Sequence, residues 1–154
     1  MISNRAFFLL LIVALITTAT CPVFAAGRAV LTTKSAPQPQ GPYAQGVSID
    51  NLVFTAGQIG LNPDTDKMQE GLEAQVKQTL DNVKAILEAG GSSLDKVVMV
   101  TIYLKDLNDF GKMNEIYAAY FAGNVHARSC IQAARIPRDA LIEIEAIGVK
   151  QGLK

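Results

Sequence analysis

Residues 96–106 read KVVMVTIYLKD, a β-branched run in which both alternating sets are apolar: Val98, Val100, Ile102 and Leu104 form one, Val97, Met99, Thr101 and Tyr103 the other. A strand sends successive side chains to opposite faces of its sheet. With apolar residues on both, this strand is expected at the centre of a sheet covered on each side, by helices on one and by another subunit on the other.

The flanking segments supply those helices. Upstream, Leu72, Val76, Leu80, Val83 and Leu87 recur every three or four positions between about Gln69 and Ala89, and Gly90-Gly91 provides the stop. Downstream, NDFGKMNEIYAAYFA (108–122) carries Phe110, Met113, Ile116, Tyr117, Tyr120 and Phe121 at helical spacing, with Asp106 or Asn108 as the N-cap. Further out, VSIDNLVFTAGQI (47–59) reads as a hairpin turning at Asp50-Asn51, and GLNPDTDKMQEG (60–71) as a loop. RSCIQAAR (128–135) and LIEIEAIGV (141–149) are two closing strands. The order strands, helix, strand, helix, strands predicts an α+β or α/β sandwich with both helices on one face.

The first 26 residues have Arg5 as their only charge, an apolar run from Ala6 to Ile16 and small residues near Ala25. They read as a secretory signal peptide cleaved after Ala25, since the run is too short for the roughly 20 apolar residues of a membrane span. The expected organisation is a leader over 1–25 and one domain over 26–154, periplasmic or secreted, with no membrane attachment once the leader is gone. Cleavage removes Cys21 and leaves Cys130 alone, so no intramolecular disulfide can form. The chain has 14 basic and 14 acidic residues, a balance that offers nucleic acid and anionic lipid no bulk attraction.

Candidate chemistry gathers in the closing strands. Ile142, Ile144 and Ala146 alternate with Glu143, Glu145, Ile147 and Val149, while Arg128, Cys130 and Gln132 alternate with Ser129, Ile131 and Ala133. An arginine and a glutamate on apolar strands could meet in a cleft, or form an exposed ion pair on a strand rim. Arg128 can grip a substrate carboxylate with two parallel hydrogen bonds. A partly dry carboxylate such as Glu143 can orient a water and exchange protons with it. A hydrolase for a small 2-keto-acid derivative needs those two parts. The lone His126 reads as a surface or loop residue and Cys130 as a small buried side chain. No Cys/His spacing suggests zinc, and GPYAQG (41–46) lacks the strand and helix that would frame a phosphate loop.

The segments GPYAQG, FTAGQIGLNP, NEIYAAYF and ARSC followed by RIPRDALIEIEAI resemble, in order and spacing, the RidA/YjgF family of reactive-imine deaminases over essentially residues 29–150. Arg128 and Glu143, fifteen positions apart, match its signature. The resemblance implies an α+β, chorismate-mutase-like fold and a homotrimer with clefts between subunits. It further implies hydrolysis of 2-iminopropanoate and 2-iminobutanoate to 2-keto acids and ammonia, without cofactor or metal. By position, Arg128 would clamp the substrate carboxylate and Glu143 would place the attacking water. Tyr43, Gly57, Asn114 and Cys130 would line the cleft, Cys130 as a wall. Partners implied are the small imino or keto acid and further copies of the chain, with no nucleic acid. A non-catalytic 2-keto-acid-binding or chaperone-like trimer is the alternative; ribonuclease labels within the family find no basic patch here. Three departures stand out: Ala56 where many members have serine, Gly60 for a frequent proline, and Val125-His126 for a common Phe-Pro.

Overall fold

The computed structural model describes residues 27–152; the expected leader with Cys21 lies outside them. Within these residues one sheet is built from β1 (Arg28–Leu31), β2 (Gly46–Ile49), β3 (Leu52–Thr55), β4 (Gln58–Ile59), β5 (Val97–Leu104), β6 (Ala127–Gln132) and β7 (Ile142–Val149). Their order is β1-β2-β3-β7-β5-β6, with β4 also paired to β7. Every pairing is antiparallel except β5 with β6. A parallel pair needs a crossover, and α2 (Phe110–Tyr120) supplies it; α1 (Leu72–Ala89) joins β4 to β5. The result is the α+β fold expected from the order of elements, with both helices packed on the sheet.

The core lies between that sheet face and the helices. Val76, Leu80, Val83, Ile86 and Leu87 of α1 meet Val100, Ile102 and Leu104 of β5 and Ile142, Ile144 and Ala146 of β7, and Met113 and Tyr117 of α2 close the side. The helix begins at Leu72 rather than Gln69, because Gly71 (φ 77, ψ 161) is not helical. It stops as expected: Gly91 takes φ 81, open to glycine at no steric cost. The N–H groups of Gly90, Gly91 and Ser92 donate to carbonyls of Ile86, Leu87 and Glu88. Asp106 accepts from the Asn108 N–H at 2.9 Å and caps the 3₁₀ turn that leads into α2. The hairpin turns at Asp50-Asn51, with Asp50 at φ 50.

The strand that set the fold is central, yet its two sets of side chains are not those of strict alternation. The register with β7 slips between Val97 and Met99. Val97 (3% exposed) and Val100 (0%) therefore both enter the core, while Val98 is 45% exposed. A bulge inserts one residue and inverts the parity of what precedes it. From Met99 onward the expected alternation holds.

Candidate active site

Strand register decides which side chains share a face. Opposed residues on paired strands point the same way. Arg128 pairs with Val100 and Cys130 with Ile102, both core residues, so Arg128 and Cys130 lie on the helix side. Glu143 pairs with Tyr103 and Glu145 with Thr101, on the open side. Within one chain the sheet therefore separates this arginine from this glutamate. Parity along one strand is legible in sequence, but parity between strands depends on register.

On the open side, β3 and β4 run along one flank of β7, with Phe54 opposite Ile147 and Ile59 opposite Glu143. The path breaks at Ala56-Gly57, and the Glu143 carboxylate occupies the break. A Cβ on Gly57 would collide with Glu143 Oε1 and lie 2.9 Å from Cδ, so only glycine permits this approach. A cavity of about 440 Å³ opens here, lined by Tyr43, Gln45, Gly57, Pro137, Arg138 and Glu143. Tyr43 is exposed and its hydroxyl accepts from the Gln40 N–H at 3.2 Å. Burial first, and the neighbouring Glu145 second, push the Glu143 carboxyl above its ordinary range. A half-buried carboxylate so raised is suited to taking a proton from water and returning it.

On the helix side, Arg128 Nη1 donates to Asn114 Oδ1 at 2.7 Å. The guanidinium lies 4.8 Å from the Tyr117 ring centroid and 5.6 Å from that of Phe110. One helix, α2, thus supplies the whole seat. The hydrogen-bond partner is a neutral amide, so the arginine's charge remains available to an anion. Cys130 is half-buried against the core, and burial pushes its thiol up despite the opposing influence of Arg128. A protonated thiol is a wall, not a nucleophile.

Three further residues shape these half-sites. Gln45, 2% exposed, accepts from the Thr33 N–H at 2.7 Å and donates to the carbonyls of Thr33, Ala36 and Pro37 at 2.9–3.0 Å, tying down the loop that carries Tyr43. Its place in GPYAQG was the available signal. Arg138, which lines the cavity, donates to Asp66 Oδ1 at 3.2 Å and takes φ 57, a conformation no sequence pattern announced. His126 lies in the loop before β6, as expected, and is partly buried there. Its Nε2 is hydrogen-bonded to the Tyr117 hydroxyl, and its ring packs 4.5 Å from Phe121. Among the described residues, no three His, Cys, Asp or Glu converge in a way that could hold a metal ion.

Comparison with known proteins places the chain. The family model described as "Endoribonuclease L-PSP" matches residues 33–150. A RutC family protein of Pyrococcus abyssi is 49% identical over 123 residues, 79% of this chain and 97% of its own. The 2-iminobutanoate/2-iminopropanoate deaminase of Escherichia coli K12 is 46% identical over 124 residues, with the same coverage. Among solved structures, the YjgF gene product of E. coli superposes with a TM-score of 0.77 at 44% identity, covering 80% of this chain and 99% of that one. Arg128, Glu143 and the glycine that admits the glutamate stand within the matched segment, and the chain belongs to the RidA/YjgF family.

Proposed function

We propose that the protein hydrolyses reactive 2-imino and enamine acids, such as 2-iminopropanoate and 2-iminobutanoate, to 2-keto acids and ammonia, at clefts formed between copies of the chain in a homotrimer. The observation that carries this reading is the division of the working pair. Arg128 is seated on one face and Glu143 on the other, so each is half of a site that a second copy completes. The deaminase from E. coli, 46% identical, supports the substrate class.

In this reading the Arg128 fork holds the substrate carboxylate and presents C2 to a water held by Glu143 of the neighbouring copy. As the water oxygen bonds to C2, Glu143 takes one water proton and the C=N electrons move to nitrogen, to which Glu143 returns that proton to give a carbinolamine. Glu143 then carries the carbinolamine hydroxyl proton to nitrogen, the C–N bond breaks, and ammonia leaves as the keto group forms. Imine and water become keto acid and ammonia, with no oxidant and no group transferred to the protein. A protonated imine is already electrophilic, so holding water and substrate together supplies most of what the reaction needs. The leader read at residues 1–25 extends the proposal to a periplasmic or secreted enzyme, meeting imines released there by amino-acid oxidation.

The test is keto-acid release from 2-iminopropanoate generated in situ by an amino-acid oxidase, with semicarbazide as competing trap. The parent protein should accelerate release, and R128A should lose about 100-fold or more. An R128A protein at parental rate would overturn the assignment. Thermal stabilisation of the parent by 2-keto acids with no turnover would favour a binding trimer instead.

A further inference from the structure

His126 is the only histidine in the chain. It stands in the loop before β6, and nothing in the mechanism above uses it. Its surroundings are nevertheless specific. The Tyr117 hydroxyl meets Nε2, Phe121 stacks on the Tyr117 ring at 4.4 Å and packs tilted against the imidazole at 4.5 Å, and Nδ1 is buried. The same Tyr117 ring carries the Arg128 guanidinium at 4.8 Å. A continuous contact therefore runs from His126 through Tyr117 to Arg128.

A phenol has one proton to place, and the imidazole decides where. With Nε2 bare, Tyr117 donates to it and turns its oxygen lone pairs toward other neighbours. The donated hydrogen bond also draws electron density into the ring on which the cation rests. With a proton on Nε2, Tyr117 must accept, its own O–H turns away from the histidine, and a second positive charge arrives beside Arg128. The first arrangement supports a guanidinium; the second opposes it.

We propose that His126 is the positioning residue of Arg128: by accepting the Tyr117 proton at Nε2 it fixes the aromatic seat of the guanidinium, and so sets how tightly a carboxylate ligand is held. This rests on the reading of Arg128 as the carboxylate clamp. The titratable and charged groups around the imidazole are Tyr117 from α2, Arg128 from its own strand, and Asp95 and Lys96, which line the same cleft from the 3₁₀ turn before β5. Burial first, opposed by the Asn124 backbone and joined by Arg128, holds His126 below the ordinary histidine range. Around neutral pH the ring is thus in its supporting form. The seat is lost only as pH falls through that lowered value, so KM should rise on the acid side.

A lone histidine can be read directly. In tag-free protein, nitrogen-15 NMR of His126 at about pH 8 should show the Nδ1–H tautomer, and Y117F should change it. A Nε2–H tautomer in the parent overturns the proposal whatever the variants do. In the 2-iminopropanoate assay, H126L should raise KM about fivefold, the worth of one hydrogen bond, with kcat changed less than about twofold. H126Q, whose amide oxygen accepts the same proton but does not titrate, should recover much of that loss and flatten the acid limb of the KM profile. In a Y117F background, H126L should add nothing. An unchanged KM in H126L, a loss confined to kcat, or multiplicative effects of H126L and Y117F would each overturn it. R128A run beside them separates the two readings. If R128A is inactive while H126L keeps the parental KM, only the positioning role falls; if R128A keeps the parental rate, the clamp falls and the positioning role with it.

Discussion

Glu143 is a residue whose chemistry and stability pull in opposite directions. Its carboxyl is raised by burial and by Glu145. A group raised on folding contributes stability below its unfolded pKa and loses that contribution as pH climbs through its folded value. Ionised Glu143 is therefore a burden to the fold at neutral pH and none in acid. E143Q should raise the thermal midpoint near pH 7.5, show no gain near pH 3.5, and lose turnover about 100-fold or more. Melting curves at both pH values check the sign: an equal shift at each would mean the carboxyl is not strained. Gly57 tests the same group from the other side. A methyl placed there strikes the tip of a flexible side chain, not backbone. G57A should thus cost less than about 1 kcal/mol in denaturant melts while displacing the carboxylate and lowering kcat about 100-fold. Loss of fold together with activity would show that Gly57 serves structure instead.

At the level of elements, α1 shows what hydrophobic spacing reveals and what it hides. The leucines and valines at three- and four-residue spacing announced the helix and its buried face. The same face also buries Gln75, Thr79 and Asn82, which no apolar pattern distinguishes from exposed polar residues. Asn82 Nδ2 donates to the carbonyls of Ile59 at 3.0 Å and Leu61 at 2.9 Å, anchoring β4 beside Glu143. N82A leaves both carbonyls without that donor and should destabilise the fold by about 2–4 kcal/mol, read as a lower denaturant midpoint. A change within about 0.5 kcal/mol would mean water replaces the amide. The elements missed in sequence share a physical cause. β1, whose burial pattern does not alternate, exists through pairing with β2, and β4 lies inside the run read as one strand, which Ala56-Gly57 interrupts and which pairing with β7 splits off. The Val98 bulge depends on a partner strand's register in the same way. Arg128 and Glu143 were legible as candidates from their residue types and strands, and Tyr43, Gly57, Asn114 and Cys130 through the family resemblance. Their division between two faces was not, because strand parity is a relation between segments distant in sequence.

For the whole molecule, that division has a consequence that mixing experiments can read. The open face of the sheet carries Phe54, Met99, Tyr103 and Ile147 partly exposed around Glu143 and Glu145, while Ile131 of the edge strand β6 is 51% exposed. A cyclic trimer would cover these surfaces and bring the Arg128 side of one copy to the Glu143 side of the next. Each cleft then draws its arginine from one neighbour and its glutamate from the other. R128A alone and E143Q alone should both be inactive. When the two are unfolded together in equal amounts and refolded, half of the arginine positions and half of the glutamate positions are intact. Chance pairing then makes about a quarter of the clefts complete. Activity should return to about a quarter of the parental value per subunit, with KM unchanged because the restored clefts are native. A site formed within one chain predicts no recovery at any ratio. Native mass spectrometry of the same mixture, which resolves R128A from E143Q subunits by mass, would show whether the copies exchanged, so an inactive mixture of exchanged trimers would count against clefts completed by a neighbour.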